Sequence, residues 1–176
     1  MNTLAQHRQI PDAPARPLSW RALQQRLAAH RRRGHTIAFT NGCFDLLHAG
    51  HVQYLERIKR LADVLVVGLN SDASVRRLKG PGRPLMPARD RVRVLTGLRA
   101  VDYVVVFADE TPQALIRAIR PDVLAKGADW ATAKIVGAND VRRAGGRVVR
   151  VPFLAGRSTS RLIEKIVACY GTCRPR

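Results

Sequence analysis

Thr40-Asn41-Gly42-Cys43-Phe44-Asp45-Leu46-Leu47-His48-Ala49-Gly50-His51 is the stretch on which the reading of this chain turns. It leaves a short apolar run, Thr36 to Thr40, which reads as a strand. It enters a segment in which Val52, Leu55, Ile58 and Leu61 share one helical face. A strand that passes through a glycine-bearing turn straight into a helix is the repeating unit of an α/β sheet.

The same alternation extends in both directions. Before it, Leu18 to Arg33 carries Leu18, Ala22, Leu23 and Leu27 at helical spacing. After it, Val64 to Leu69 is a continuous, largely β-branched strand of the kind buried on both faces. Three more strands follow at Val101 to Phe107, Val123 to Lys126 and Arg147 to Val151. Between and after them, helical patterns cover Ala88 to Leu98, Thr111 to Ile119, Ile135 to Ala144 and Ser158 to Ala168. Thr111 caps the second of these with Pro112 at its first position, and Gly145-Gly146 ends the third. Asn70 to Pro87 reads as a long polar loop, and loops of that length in a compact domain are usually functional. The expected fold is a Rossmann-like, doubly wound, parallel five-stranded sheet with helices on both faces. In such sheets ligands bind beyond the carboxyl ends of the strands, here just after Thr40, Leu69, Lys126 and Val151.

The bulk numbers agree with one compact domain. There are 176 residues, 46% of them apolar, enough for a core without disulfides. The domain is expected over residues 18–170, with a polar, proline-containing tail at 1–17 and a short tail at 171–176. The formal charge is +18, and arginine far outnumbers lysine. Clusters such as Arg31-Arg32-Arg33 lack the interleaved aromatics of a base-stacking surface, so nucleic acid is not the expected partner. Three cysteines make no disulfide framework, and Cys169 and Cys173 fit no common zinc spacing. No signal core opens the chain, and its longest apolar run, Val64 to Leu69, is too short to span a bilayer. No membrane partner is expected, and the expected location is cytoplasmic.

The opening stretch carries the chemistry. Gly42 lets the backbone approach a ligand, and a helix start behind it favours a phosphate. His48 and His51 are three apart and share one face, with Gly50 between them leaving room for a triphosphate. Two imidazoles there can donate to phosphate oxygens as charge builds, and such transfers need no protein nucleophile. A zinc site would want a fourth ligand beside His48, His51 and Cys43, and none is supplied, so no protein-held metal is expected. The dinucleotide fingerprint G-x-G-x-x-G is absent after the first strand.

His48-Ala49-Gly50-His51 resembles the H-x-G-H signature of the nucleotidyltransferase superfamily. A longer ordered set is similar to the adenylyltransferases of bacterial ADP-heptose synthesis. It comprises Asn41 to Asp45, Leu69 to Ser74, Arg77 to Gly80, Arg83-Pro84, Val101 to Val105, Lys126 to Asp129 and Ser158 to Ser160. The resemblance covers about Leu18 to Val167. The family usually shows Ser-Thr-Thr-Asn where this chain reads Ser158-Thr159-Ser160-Arg161, which keeps a hydroxyl-rich helix start. In many bacteria the activity follows a sugar kinase. No room for one exists here, so the stand-alone form is expected.

What the resemblance implies is concrete. AMP passes from ATP to D-glycero-β-D-manno-heptose 1-phosphate, giving ADP-heptose and pyrophosphate for lipopolysaccharide core synthesis. His48, His51 and Lys79 are the expected catalytic residues. ATP lies against Thr40, Asn41, Gly42, Cys43, Phe44, Gly50, Arg91, Lys126, Gly127, Asp129, Ser158, Thr159 and Ser160. Asp45, Asp72 and Arg83 are assigned to the sugar phosphate. From the residues alone, Asp45 serves equally well as a helix cap and Asp72 as a turn residue. Trp130 reads as core ahead of base stacking. Mg²⁺ is expected to ride on the substrate phosphates, and the family implies a homodimer. Two other readings stay open: a cytidylyltransferase using glycerol 3-phosphate, and a non-catalytic basic protein that binds nucleic acid.

Overall fold

The computed structural model describes residues 18–128, 135–154 and 156–171. Asp129, Trp130, Cys173 and the two expected tails, apart from Gly171, lie outside the described residues. The elements in order are α1 (Trp20–Arg32), β1 (Ile37–Gly42), α2 (Ala49–Lys59), β2 (Val64–Asn70), α3 (Asp72–Lys79), α4 (Ala88–Thr96), β3 (Tyr103–Phe107), α5 (Gln113–Ile119), β4 (Val123–Gly127), α6 (Ala138–Arg143), β5 (Arg147–Val151) and α7 (Thr159–Tyr170). The five strands pair in parallel in the order β3-β2-β1-β4-β5. This is the expected Rossmann-like α/β sheet.

Strand alternation divides the core. On one face Ala38, Leu65, Val67, Leu69, Val104, Val123 and Ala125 meet Leu55 and Ile58 of α2 and Val92 and Leu95 of α4. On the other, Ile37, Phe39, Val64, Val66, Val105 and Leu124 meet Leu23 and Leu27 of α1, the α5 residues Leu115, Ile116 and Ile119, and Val141 of α6. Full burial of each large aliphatic side chain stabilises by roughly 1.5–3 kcal/mol. The chain leaves β1 toward β2 on one side and returns to β4 on the other. The strand order therefore reverses beside β1, and a crevice opens there at the carboxyl ends.

Three local expectations change. The long polar loop is half helix: Ser71 accepts from the Ser74 amide at 3.2 Å and caps α3, leaving only residues 80–87 as connection. Lys79 is therefore the last helical residue, not a loop residue. The helix expected from Ile135 begins only at Ala138, and the one expected at Thr111 begins at Gln113, with Pro112 as its cap. No helix among the described residues is long and apolar enough to cross a membrane.

Candidate active site

A cleft of about 690 Å³ opens at the reversal point. β1 delivers Asn41 and Gly42 to its floor, and β4 delivers Lys126 and Gly127. Lys126 Nζ donates to the Asn41 side-chain oxygen and, at 3.3 Å, to its carbonyl, so the two strands are tied across the seam. Cys43, Phe44, Asp45, His51, Lys79, Arg83, Ser158, Thr159 and Ser160 complete the expected lining.

The turn after β1 is shaped by one strained residue. Phe44 is buried with φ +43°, a left-handed conformation that costs a non-glycine residue on the order of 1–2 kcal/mol. Its ring lies over Gly42, where a Cβ would come within 3.1 Å of it. The ring also meets His51, with centroids 5.3 Å apart. Gly42 thus makes room first for Phe44. The same holds for Gly50, since a Cβ there would lie 2.9 Å from His48 Nδ1. The space expected for a triphosphate is in fact the space that seats His48.

His48 is the N-cap of α2 and His51 lies in its first turn. Their rings stack at 3.9 Å and 26°. Both Nδ1 atoms are buried without a hydrogen-bond partner among the described residues. Burial lowers the pKa of both. For His51 the neighbouring His48 adds to the effect and the value falls to about 4. For His48 the second cause is Arg157, an arginine the sequence reading did not single out. Both imidazoles are therefore neutral near pH 7, each with one N–H to give and one lone pair.

Four expected contacts turn inward instead. Arg91, expected at the phosphates, is fully buried. It donates to the carbonyls of Met86 (2.9 Å), Cys43 (2.6 Å) and Asn70 (2.9 Å) and to Asp72 Oδ1 (2.6 Å). Asp72, expected at the sugar or in a turn, is instead the first residue of α3 and the partner of Arg91. Asp45 caps no helix, and its carboxylate does not point freely to a sugar. It is 2% exposed, pairs with Arg83 Nε at 2.5 Å and accepts from the amides of Leu85 (2.8 Å) and Met86 (2.9 Å). Burial alone would raise its pKa, but those amides and Arg83 outweigh it and hold the carboxyl below its usual range. Thr40, expected beside ATP, is wholly buried and shares a 2.8 Å hydroxyl bond with Tyr54.

The start of α7 closes the cleft on the β5 side. Ser158 accepts from the Arg161 amide at 3.2 Å as N-cap, and Thr159 donates to the Leu46 carbonyl at 3.3 Å. Residues outside the sequence expectations also line the cleft: Tyr54, Leu78, Glu110, Thr111, Pro112 and Phe153. The rule about strand ends, applied also to β3, would have pointed to the segment Glu110 to Pro112.

Residues 39–164 match the family described as Cytidylyltransferase-like. The chain is 52% identical over 149 residues to the Bifunctional protein HldE of Syntrophotalea carbinolica, covering 85% of this chain and 30% of that one. It is 55% identical over 155 residues to the Bifunctional protein HldE of Wolinella succinogenes, covering 88% and 32%. The chain thus spans roughly a third of the length of these curated relatives. Among solved structures it resembles the crystal structure of the lipopolysaccharide core biosynthesis protein from Thermoplasma volcanium GSS1. The TM-score is 0.57 at 27% identity, over 69% of this chain and 98% of that one.

Proposed function

The chain belongs to the cytidylyltransferase-like family of nucleotidyltransferases, and on that premise we propose that it joins the AMP of ATP to a heptose 1-phosphate. A phosphate oxygen of the sugar attacks the α-phosphorus in line. The bond from that phosphorus to the bridging oxygen breaks, and pyrophosphate leaves with the electron pair. The products are an ADP-heptose and pyrophosphate, the former a unit for lipopolysaccharide core synthesis.

One observation supports this most: the stacked, neutral pair His48 and His51, seated at a helix start on the crevice where the strand order reverses. His51 lines the cleft and His48 stacks on it, and their ring N–H groups are assigned to the charge that grows on the α- and β-phosphates. The amides that open α7, at Thr159 and Ser160, and the Lys79 ammonium serve the leaving pyrophosphate. Asn41, Gly42, Lys126 and Gly127 lie under the nucleoside. Among the described residues no group of three His, Cys, Asp or Glu side chains is arranged to hold a metal. Mg²⁺ enters as part of the MgATP substrate, the ion carried by phosphate oxygens and water. The choice of heptose and ATP rests on the ordered motifs from Asn41 to Ser160 and on the identity to HldE.

Pyrophosphate release across a panel of nucleoside triphosphates and sugar phosphates tests the reading. ATP with D-glycero-β-D-manno-heptose 1-phosphate should exceed CTP with glycerol 3-phosphate by at least about 100-fold in kcat/KM, as expected of a site that hydrogen-bonds hydroxyls. If CTP with glycerol 3-phosphate is the better pair, nucleotidyl transfer stands and the heptose assignment falls.

A further inference from the structure

We propose that Glu110 is the residue that holds the hydroxyl groups of the acceptor sugar, an inference that rests on the transfer reaction above. Two carboxylates line the cleft among the described residues, Asp45 and Glu110. Asp45 is spent: it is buried and accepts from Arg83 and from two backbone amides. Asp72, the other acidic residue near the strand ends, is committed to Arg91. Glu110 is exposed to the cleft and has no hydrogen bond or ion pair among the described residues.

Its position suits an acceptor and not the nucleoside. The segment that carries it follows β3 and is strapped to the β2 side. The Ser71 amide donates to the Phe107 carbonyl at 2.8 Å, and Arg77 of α3 donates to the Ala108 carbonyl. Glu110 therefore stands on the wall that carries Lys79, away from the start of α7 beyond β5. A carboxylate accepts from two neighbouring hydroxyls at once, which is the group a polyol phosphate offers and a bare phosphate lacks.

Electrostatics makes the alternative testable by sign. A carboxylate beside two phosphorylated substrates repels both. If Glu110 touches nothing, removing its charge tightens the binding of every anion in the cleft. If it holds hydroxyls, removing it weakens only the hydroxylated acceptor.

The experiment compares wild type with Glu110→Ala and Glu110→Gln, using the acceptor that wild type prefers in the panel above. The KM for that acceptor should rise by about 10–100-fold in Glu110→Ala and by less in Glu110→Gln, with kcat changed by less than about threefold and the KM for ATP unchanged. Inhibition by propyl phosphate, which has no hydroxyls, should be equal or stronger in the variants. Thermal midpoints should match wild type, because Glu110 is exposed and makes no hydrogen bond or ion pair among the described residues. An acceptor KM that is unchanged or lower overturns the proposal. So does a raised KM for ATP whose difference from wild type vanishes with 2′-deoxy-ATP, which would place Glu110 on the ribose. A raised Mg²⁺ requirement with an unchanged acceptor KM overturns it as well. The heptose reading is judged on wild type alone. If glycerol 3-phosphate is preferred, that reading falls, and Glu110 is judged by the same variant-to-wild-type ratio on glycerol 3-phosphate.

Discussion

The two walls of the cleft are built by opposite means. On the β2 side a buried charged network locks the structure: Arg91 gathers three carbonyls and Asp72, while Asp45 gathers Arg83 and two amides. It joins the turn at Cys43 to Asp45 to the connection at residues 83–86 and to the end of β2. On the β5 side, α7 has no buried residue and leaves Leu162, Ile166, Val167 and Tyr170 exposed. Its start is tied down by contacts such as the hydroxyl bond from Thr159 to Leu46. One wall has its geometry set before any substrate arrives. The other lacks the buried contacts that resist local opening, and it offers amides that a phosphate can order.

The strongest way to break this contrast is Arg91→Met. It leaves three carbonyls and the partly exposed carboxylate of Asp72 without their donor, a loss on the order of 3 kcal/mol. Urea denaturation should show it as a large drop in midpoint at unchanged slope. A loss below about 1 kcal/mol would mean the rigid wall is not held by this network. His48→Ala and His51→Ala act between the walls. Each should lower kcat by about two orders of magnitude or more while far-ultraviolet circular dichroism stays that of wild type. Near-normal turnover in either variant removes the proposed centre.

Acid sharpens the picture of the seam. His48 and His51 are held below the ordinary histidine value, His51 at about 4. Below about pH 6.5 the unfolded chain takes up protons that the folded pair refuses. Their contribution is therefore complete above that pH and is lost as pH falls below it, for His51 toward about 4. The His51 part is at most about 3 kcal/mol, and His51→Gln should flatten the wild-type slope by that amount. ATP works against the effect, since its charge favours protonated imidazole. Calorimetry in buffers of different ionisation enthalpy should detect proton uptake on ATP binding near pH 6, and no uptake would count against contact between the histidines and the phosphates. The smallest effect is expected at the loose wall. Ser158→Ala removes one cap and should cost about 1 kcal/mol, well below Arg91→Met. Equal losses at the two positions would erase the distinction between the walls.

Much of this was legible in the residues themselves. The five strands, their parallel pairing and the crevice follow from apolar runs such as Val64 to Leu69 alternating with helical periods. Such periods report which face of a local element is buried, and that needs no knowledge of the neighbours. The His48 and His51 pair followed from spacing for the same reason. Asp72–Lys79 was missed as a helix because it is short and mostly polar, and its start depends on the Ser71 cap. The fates of Asp45, Asp72, Arg91 and Glu110 depended on the tertiary structure alone. A charged side chain looks the same in sequence whether it serves a ligand or a neighbour. Its partner is chosen by what folds against it, here 38 positions away for Arg83 and Asp45 and 19 for Arg91 and Asp72. Only the packed chain shows which carboxylate is already taken and which still faces the cleft.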